Sequence, residues 1–302
     1  MASYFSLLLV ILTLVCGLIW LVDSLFFAKK RRQNAVVNKD VLVDSENLDV
    51  DVPDPYVVDT AKQIFPVIAF VLVLRSFIYE PFQIPSGSMM PTLLVGDFIL
   101  VEKFAYGLKD PVARHKFVET GKPERGDVVV FKYPVDTRVD YIKRVVGLPG
   151  DTVEYRNKQI FIKPACEAGT ECAPAYTVPL ELVNRDEFVQ NMVPLERMTE
   201  TLGDIEHDIL RNPTTRALLS RYHQQPGTRL GQWIVPEDSY FVLGDNRDNS
   251  TDSRYWGFVK DEHLVGKAVA IWISFEFERN EQDFLPGWVP TGVRFSRVGG
   301  IE

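Results

Sequence analysis

Two apolar segments of membrane length lie near the start of the chain. Residues 1–22 carry no charged side chain and consist mostly of Leu, Val, Ile and Phe. As a helix at about 1.5 Å per residue they extend ~33 Å, which matches the hydrocarbon core of a bilayer. No basic start and no small-residue cleavage site precede Lys29. We therefore interpret residues 1–27 as a retained membrane helix rather than a cleaved leader.

A second apolar segment, predicted to span the membrane over residues 62–79, is interrupted by Pro66 and Arg75. Its uncharged run is shorter than a span requires, so the prediction depends on Arg75 extending its charge to the interface. An interfacial or buried helix is the alternative. Basic residues 29–32 follow the first segment, and such residues mark the cytoplasmic side of a span. We expect residues 28–61 to form a cytoplasmic loop, and the chain after the second span to be periplasmic.

From Glu80 onward the pattern changes to short strand-like runs bounded by Gly, Pro, Asp or Asn. The predicted strands are 97–103, 127–133, 141–146, 152–155, 159–162, 240–243 and 266–277. They indicate a mainly β domain composed of residues 80–155 and 237–302. The more polar stretch between these parts, residues 156–236, is predicted to be an insertion remote from the chemistry.

Composition excludes several classes of protein. The formal net charge of −8 provides no basic field for nucleic acid. The four histidines have no ligand-like spacing, so we expect neither a metal nor another cofactor. Among the three cysteines, Cys166 and Cys172 bracket a short loop that could close as a disulfide in an oxidising compartment. Two reduced thiols are the alternative for that pair, and Cys16 is expected to be unpaired.

A candidate nucleophile lies in residues 85–93, Pro-Ser-Gly-Ser-Met-Met-Pro-Thr-Leu. Prolines restrict both ends of this segment, and Gly87 lets the backbone turn beside the Ser88 hydroxyl. These residue types are also ordinary in turns, and a serine hydroxyl needs a nearby base. No histidine has neighbours that suggest a catalytic triad, and no Gly-x-Ser-x-Gly or Ser-x-x-Lys motif surrounds Ser88. A lysine remains as the candidate base.

Lys143 is that candidate because it lies in an apolar strand. Side-chain alternation places it on the same face as Tyr141 and Val145. Burial can lower the pKa of an ammonium group far enough to leave a neutral amine at working pH. A surface lysine that extends its charge into water is the alternative.

A third polar cluster runs from Gly244 to Arg254. So many short hydrogen-bonding side chains cannot pack a core. Ser250 could hold the lysine amine, while Asp252 and Arg254 could pair and fix the loop. A solvated turn is the alternative.

Three blocks of the sequence, residues 84–93, 141–151 and 244–254, together resemble bacterial type I signal peptidases, or leader peptidases, in their Gram-negative two-span form. The resemblance extends from the first apolar segment to about Ser274. Within it, residues 156–236 align only by their cysteine pair, and the C-terminal tail matches poorly. The resemblance implies a mostly β fold of two antiparallel sheets with a smaller β-rich insertion.

The resemblance also implies roles for the candidate residues. Ser88 would be the nucleophile and Lys143 the general base of a Ser-Lys dyad. The backbone N–H of Ser88 and the hydroxyl of Ser86 would form the oxyanion hole. Ser250 would orient Lys143, and the remaining support would come from Asp252 and Arg254. Shallow pockets for small residues at positions −1 and −3 of a signal peptide would be lined by Phe82, Ile84, Pro85, Tyr141 and Ile142.

The implied protein is a multi-pass serine endopeptidase of the bacterial inner membrane, with both termini and the catalytic domain on the periplasmic side. Its expected partners are signal peptides of exported preproteins and the lipid bilayer, with the secretion translocon as a further candidate and no nucleic acid. A self-cleaving Ser-Lys regulator is disfavoured by the two apolar segments and by the absence of a DNA-binding segment. A catalytically inactive periplasmic scaffold is disfavoured because Ser88, Lys143 and Ser250 occur together.

Overall fold

The computed structural model describes residues 2–39, 53–166, 172–277, 286–287 and 289–301. The chain divides into two compact units, a helical unit of residues 1–78 and 109–115 and a β-rich unit of residues 79–108 and 116–302. The α-helices are α1 (Ala2–Val22), α2 (Ala28–Lys39), α3 (Tyr56–Val73) and α4 (Ser253–Trp256). A π-helical turn, Asp23–Phe27, joins α1 to α2, and another, Leu74–Ile78, extends α3.

In the helical unit, α1 and α3 pack against each other as an antiparallel pair. The rings of Trp20 and Phe65 meet edge to face with centroids 5.5 Å apart. A Cβ at Gly17 would lie 2.8 Å from the Phe65 ring, so the close approach of the helices requires glycine there. By length and composition, the helices over Phe5–Arg31 and Tyr56–Ile78 could each cross a membrane.

Charged side chains connect the end of the first long helix to the start of α3. Arg31 bonds to Asp23 and to Asp54, the latter with an Nη2–Oδ1 distance of 2.6 Å. Lys62 also bonds to Asp54. Near the opposite end of the pair, the Arg75 guanidinium lies 4.4 Å from the centroid of the Phe5 ring. Polar contacts thus lie at both ends of the apolar stretch.

The helices extend beyond the predicted spans. The helix that contains the second apolar segment begins at Tyr56 rather than at residue 62, and Asp59 in its first turn favours that start through the helix dipole. The first part of the predicted loop is the helix α2, because Lys, Arg, Gln and Ala are good helix formers. Residues 40–52 of that loop lie outside the described residues.

The β-rich unit contains most of the strands. They are β1 (Tyr79–Gln83), β2 (Asp97–Glu102), β3 (Leu108–Lys109), β4 (Lys116–Val118), β5 (Val128–Tyr133), β6 (Asp136–Gly147), β7 (Thr152–Arg156), β8 (Gln159–Lys163), β9 (Tyr176–Thr177), β10 (Leu180–Gln190), β11 (Val193–Leu202), β12 (Ile205–Arg211), β13 (Gln232–Ile234), β14 (Ser239–Leu243), β15 (Val259–Lys260), β16 (Leu264–Glu276), β17 (Gly292–Val293) and β18 (Gly299–Gly300).

The largest sheet has the strand order β1-β2-β16-β5-β6-β14-β15, with β17 and β18 also pairing with β16. Two smaller sheets have the orders β13-β7-β8-β9 and β10-β11-β12. The strands in these sheets pair antiparallel. The predicted fold class, mainly β with antiparallel sheets after two apolar helices, is confirmed.

Strands β5 and β6 lie in the middle of the largest sheet. Val128 to Phe131 are all buried, since β5 has a neighbour on each edge and both its faces are covered. Lys143 pairs with Val129, which places it at the centre of this sheet. Tyr141 and Val145 pack in the same hydrophobic cluster, as alternation along β6 predicts. The sheet therefore holds Lys143 on a rigid, largely apolar element.

The predicted insertion shares a core with the rest of the β-rich unit. Strands β7 and β8 form one hairpin, which contains the predicted boundary between residues 155 and 156. Trp233 of β13 packs on Phe241 of β14 with ring centroids 4.8 Å apart. A disulfide joins Cys166 to Cys172, whereas Cys16 is free and buried. The polarity of residues 156–236 did not indicate these buried contacts.

Candidate active site

Ser88 lies in a single 3₁₀ turn, Gly87–Met89, that follows β1. Met89 and Leu93 are buried in the core next to Ile84, and this packing holds the turn in place. The φ of Gly87 is not positive, so the turn does not need glycine for its backbone conformation. A Cβ at Gly87 would instead lie 2.9 Å from the Met90 sulfur. The turn therefore does not use the backbone freedom inferred from the sequence, and the glycine leaves room for the Met90 side chain.

The amine of Lys143 lies beside the Ser88 hydroxyl. Its Nζ is 2.9 Å from Ser88 Oγ and 2.7 Å from the carbonyl oxygen of Ile142. The side chain is buried, with the amine 5.5 Å from the centroid of the Tyr141 ring. Burial lowers the pKa of Lys143 to about 8, although the negative charge of Asp252 favours the ammonium form. About half of the amine is therefore neutral near pH 8.

Ser86 is exposed and lies on the same side of the turn as Ser88. Its hydroxyl donates to Ser88 Oγ over 3.4 Å, a long contact. The Ser86 side chain is therefore close to the atom that would attack a substrate.

Ser250 is buried close to the turn that carries Ser88. Within the described part of the chain, Ser250 Oγ has no hydrogen-bond partner. The Lys143 amine bonds instead to Ser88 and to its own strand. A Cβ at Gly244 would overlap Ser250 Oγ and lie 2.5 Å from the Ser88 carbonyl oxygen. Glycine at this position lets the loop approach the turn, while the role of Ser250 stays a prediction.

Asp252 and Arg254 form a buried bidentate ion pair. Arg254 Nε is 2.8 Å from Asp252 Oδ1, and Nη2 is 2.8 Å from Oδ2. The Gly244 N–H also donates to Asp252 Oδ2 over 3.1 Å. The pair closes the loop from Gly244 to Arg254 upon itself, and its carboxylate lies close enough to influence Lys143 electrostatically.

Asn246 is a site residue that the sequence reasoning missed. Its backbone N–H donates to the Ser88 carbonyl over 3.1 Å, and its side-chain amide donates to the Gly87 carbonyl over 3.0 Å. Two hydrogen bonds from one residue therefore fix the backbone on which the Ser88 hydroxyl stands. The signal available in the sequence was the position of Asn246 inside the polar block.

Asp245 and Arg144 form a second buried pair, next to Asn246 and Lys143 in sequence. Arg144 Nε is 3.0 Å from Asp245 Oδ1 and Nη2 is 2.9 Å from Oδ2, and both side chains are fully buried. The Thr92 hydroxyl donates to Asp245 Oδ2 over 2.6 Å. Burial acts to raise the pKa of Asp245, but the Arg144 charge outweighs it and lowers the pKa below the usual range. This network connects β6, the Ser88 segment and the polar loop.

The predicted substrate-binding residues lie along two strand edges. Phe82 and Ile142 are half-buried against the hydrophobic cluster that contains Ile84, and Pro85 is exposed. Tyr141 stacks on Tyr133 with ring centroids 4.3 Å apart. In the strand order β1 is terminal, and β14 pairs with β6 only from Arg144 onward. Among the described residues, the outer edge of β1 and the edge of β6 before Arg144 therefore carry no strand.

Comparison with known proteins identifies the family of the chain. The family model described as "Signal peptidase, peptidase S26" matches residues 57–273. The chain belongs to this family. Proteins named signal peptidase I are 46% identical in Pseudomonas fluorescens, 43% in Pseudomonas aeruginosa and 40% in Buchnera aphidicola subsp. Acyrthosiphon pisum, each over 100% of both chains. The resemblance stated from the three sequence blocks is confirmed.

A solved signal peptidase I from Enterococcus faecalis is 28% identical and covers 48% of this chain and 96% of its own, with a TM-score of 0.27 that is too low to bear on the fold. Membership of the family makes the chain a peptidase. With its two long apolar helices, it is a membrane-anchored one.

Proposed function

We propose that this peptidase is a membrane-bound serine endopeptidase that removes signal peptides from exported preproteins, with Ser88 as the nucleophile and Lys143 as the general base. The observation that carries the proposal is the buried Lys143 amine, 2.9 Å from the Ser88 hydroxyl. An amine with its pKa lowered to about 8 can accept a proton under mildly alkaline conditions. Relatives named signal peptidase I support the substrate class.

In this mechanism neutral Lys143 takes the proton of Ser88 as the hydroxyl oxygen attacks the scissile carbonyl carbon. The resulting ammonium gives that proton to the leaving amine, the peptide bond breaks and an ester on Ser88 forms. A water molecule then loses a proton to Lys143 and its oxygen attacks the ester carbonyl. As the ester bond breaks, the Lys143 ammonium returns that proton to Ser88 Oγ, and the signal peptide leaves with a new carboxylate. One lysine thus serves both half-reactions.

The developing oxyanion would be stabilised by the backbone N–H of Ser88 and the hydroxyl of Ser86. The Ser86 hydroxyl is exposed and 3.4 Å from Ser88 Oγ, so it can rotate toward a bound substrate. Such donors often supply the largest single contribution to catalysis. Ser250 would orient Lys143 when substrate is bound, and the Asp252–Arg254 pair would keep the loop in position.

The substrate would bind as an extended strand between the free edges of β1 and β6. Main-chain hydrogen bonds would hold it there, while side-chain pockets would select small residues at positions −1 and −3. The proposed walls of these pockets are Phe82, Ile84, Pro85, Tyr141 and Ile142.

The proposed arrangement in the cell follows from the basic residues after the first helix. Residues 1–27 and 62–79 would span the inner membrane and residues 28–61 would face the cytoplasm. The β-rich parts, residues 80–155 and 237–302, and the insertion of residues 156–236 would then face the periplasm. Signal peptides emerging from the membrane, and the translocon that delivers them, would be neighbours of the site.

Cleavage of a purified preprotein by purified variants tests the dyad. We expect Ser88→Ala and Lys143→Ala each to lower kcat/KM by about 10⁴-fold or more. Lys143→Arg should be equally inactive, because arginine does not lose its proton at working pH. Ser220→Ala and Lys163→Ala change exposed residues of the same types and should cleave normally. Near-normal turnover by either dyad variant would rule out the mechanism.

A further inference from the structure

Glu200 of β11 is buried, and its side chain contacts the loop from Gly244 to Arg254. Through Asn246, this loop binds the turn that carries Ser88. Glu200 is 2% exposed, and its carboxylate bonds to both terminal nitrogens of Arg247, with 2.7 Å between Oε1 and Nη1. Arg247 is 1% exposed and belongs to the Gly244–Arg254 loop. The insertion, which the sequence predicted to be remote from the chemistry, thus contacts this loop directly. A buried ion pair joins the two, which the polar composition of the insertion did not reveal.

Backbone hydrogen bonds from β12 strengthen the same junction. The Leu210 N–H donates to the Asp245 carbonyl over 2.9 Å, and the Arg247 N–H donates to the Leu210 carbonyl over 2.9 Å. These bonds flank Asn246, the residue that binds the Ser88 and Gly87 carbonyls. The insertion thus holds the loop on both sides of its contact with the nucleophile segment.

Arg247 also connects to the side of the site that carries the base. Its carbonyl oxygen accepts a hydrogen bond from Arg254 Nη2 over 2.5 Å. Arg254 in turn pairs with Asp252, whose charge acts on Lys143. A displacement of Arg247 would consequently affect both the Ser88 backbone and the surroundings of the Lys143 amine.

The Glu200 carboxylate is charged in the folded protein. Burial acts to raise the pKa of Glu200, but the adjacent Arg247 guanidinium outweighs burial and lowers the pKa to about 2. His207 Nε2 lies 3.4 Å from Glu200 Oε2 and 4.0 Å from Asp245 Oδ1, between the two carboxylates. Within the described residues Arg247 Nε has no hydrogen-bond partner, so loss of Glu200 would leave a buried guanidinium poorly compensated.

We infer that Glu200 is a positioning residue for the reaction: by fixing Arg247 it sets the loop that aligns Ser88 with Lys143. The inference rests on the proposed function, since it assigns Glu200 an effect on the Ser88 reaction. It concerns a residue outside the three blocks that carry the family resemblance. Glu200 touches neither Ser88 nor Lys143, and acts through Arg247 and Asn246.

Steady-state cleavage by the full-length, detergent-solubilised protein tests the inference. Glu200→Gln keeps the size of the side chain and removes its charge. We expect kcat to fall by about 10- to 100-fold, because misplacement of reacting groups by about 1 Å can cost as much as 100-fold. KM should stay within about twofold, since the strand edges proposed to bind substrate are not in contact with Glu200. Glu200→Asp keeps the charge and should restore part of kcat.

Glu196→Gln is the matched control. Glu196 lies on the same strand and pairs with Arg211 at 3.1 Å and with Arg185 at 3.2 Å, within the same small sheet. We expect its kcat to stay within about twofold of the unmodified protein. Equal kcat values for Glu200→Gln and Glu196→Gln would overturn the inference.

A double variant separates positioning from simple loss of folding. Glu200→Gln with Arg247→Met removes both charges, and replacing a whole buried pair is often neutral for stability. We expect its thermal midpoint to return toward that of the unmodified protein while kcat stays low. Recovery of kcat together with the midpoint would show a purely structural pair and would also overturn the inference. Activity in Ser88→Ala would instead refute the proposed function, so the two failures are distinguishable.

Discussion

The surroundings of the Lys143 side chain set the conditions under which it can act as a base. Its amine is buried between the Ser88 hydroxyl, the Ile142 carbonyl and the Tyr141 ring. Removal from water disfavours the ammonium form, while the charges of Asp252 and Asp245 favour it. The effect of burial is larger than the effect of these charges, so the pKa of Lys143 lies at about 8, below the ordinary lysine value.

The rate of cleavage should therefore depend on pH in a definite direction. In the proposed mechanism the active form is the neutral amine, so kcat/KM should rise with pH by about tenfold per unit below the pKa of Lys143, which lies at about 8, and level off above it. The measurement is kcat/KM between about pH 6 and about pH 10, on a peptide without titratable groups near the cleavage site. It would show both the rise and the plateau. A flat profile over that range would be incompatible with Lys143 as the base.

Asn246 and Glu200, to which we assign positions around the candidate site, show why such residues are missed from the sequence. Their contacts depend on segments far apart in the sequence, Asn246 with the Ser88 turn and Glu200 with Arg247. Residue type and spacing along the chain do not predict which distant carbonyl or guanidinium group the fold places next to a side chain. By contrast, Ser88 and Lys143 could be chosen from the sequence as nucleophile and base, because no histidine had neighbours that suggest a catalytic triad.

Among the elements, the β strands were the most predictable. Apolar runs bounded by turn residues located β2, β5, β6, β14 and β16 of the largest sheet, both where burial alternates, as in β2, and where it is continuous, as in β5 and β14. The ends of the long helices were less predictable, because Asp59 and Lys62 interrupt the apolar pattern at the start of α3 and α2 is mostly polar. The contacts of the insertion depend on a buried ion pair and a shared core, which leave no local pattern.

The junction of β6, the Ser88 segment and the polar loop depends on the pair of Asp245 and Arg144. Asp245→Asn keeps the shape of the side chain but leaves the buried Arg144 charge uncompensated. We expect the free energy of unfolding of the β-rich unit to fall by about 3–5 kcal/mol. Urea denaturation followed by tryptophan fluorescence would measure the change.

The control for this prediction is Asp136→Asn, whose partner Arg138 is 87% exposed. An exposed pair contributes little, so this variant should unfold with the unmodified protein. Similar losses in both variants would contradict the importance assigned to the buried network.

At the scale of the whole molecule, the two apolar helices and the family membership describe a membrane-anchored peptidase. A network of charged side chains lies between the apolar part of the first helix and the apolar part of α3. It consists of Asp23, Arg31, Asp54 and Lys62. We propose that this end of the helix pair faces the cytoplasm. The β-rich unit, which follows the other end of α3 in the chain, would then face the periplasm.

Thiol labelling in intact spheroplasts tests this orientation. Met192→Cys places a thiol on a residue that is 94% exposed in the β-rich unit, and Gln33→Cys places one on an exposed position of α2. A membrane-impermeant maleimide should label Met192→Cys directly and Gln33→Cys only after the membrane is opened. Labelling of Gln33→Cys in closed spheroplasts, with protection of Met192→Cys, would reverse the proposed topology.

The most direct test of the Ser88–Lys143 mechanism is the site of covalent acylation. The full-length protein would be treated with a serine-directed acylating probe at about pH 8, near the pKa of Lys143, and digested for peptide mass spectrometry. We predict one adduct on Ser88 in the unmodified protein, and almost none in Lys143→Ala at the same pH. An adduct on another residue, or equal acylation of Ser88 without Lys143, would contradict the mechanism.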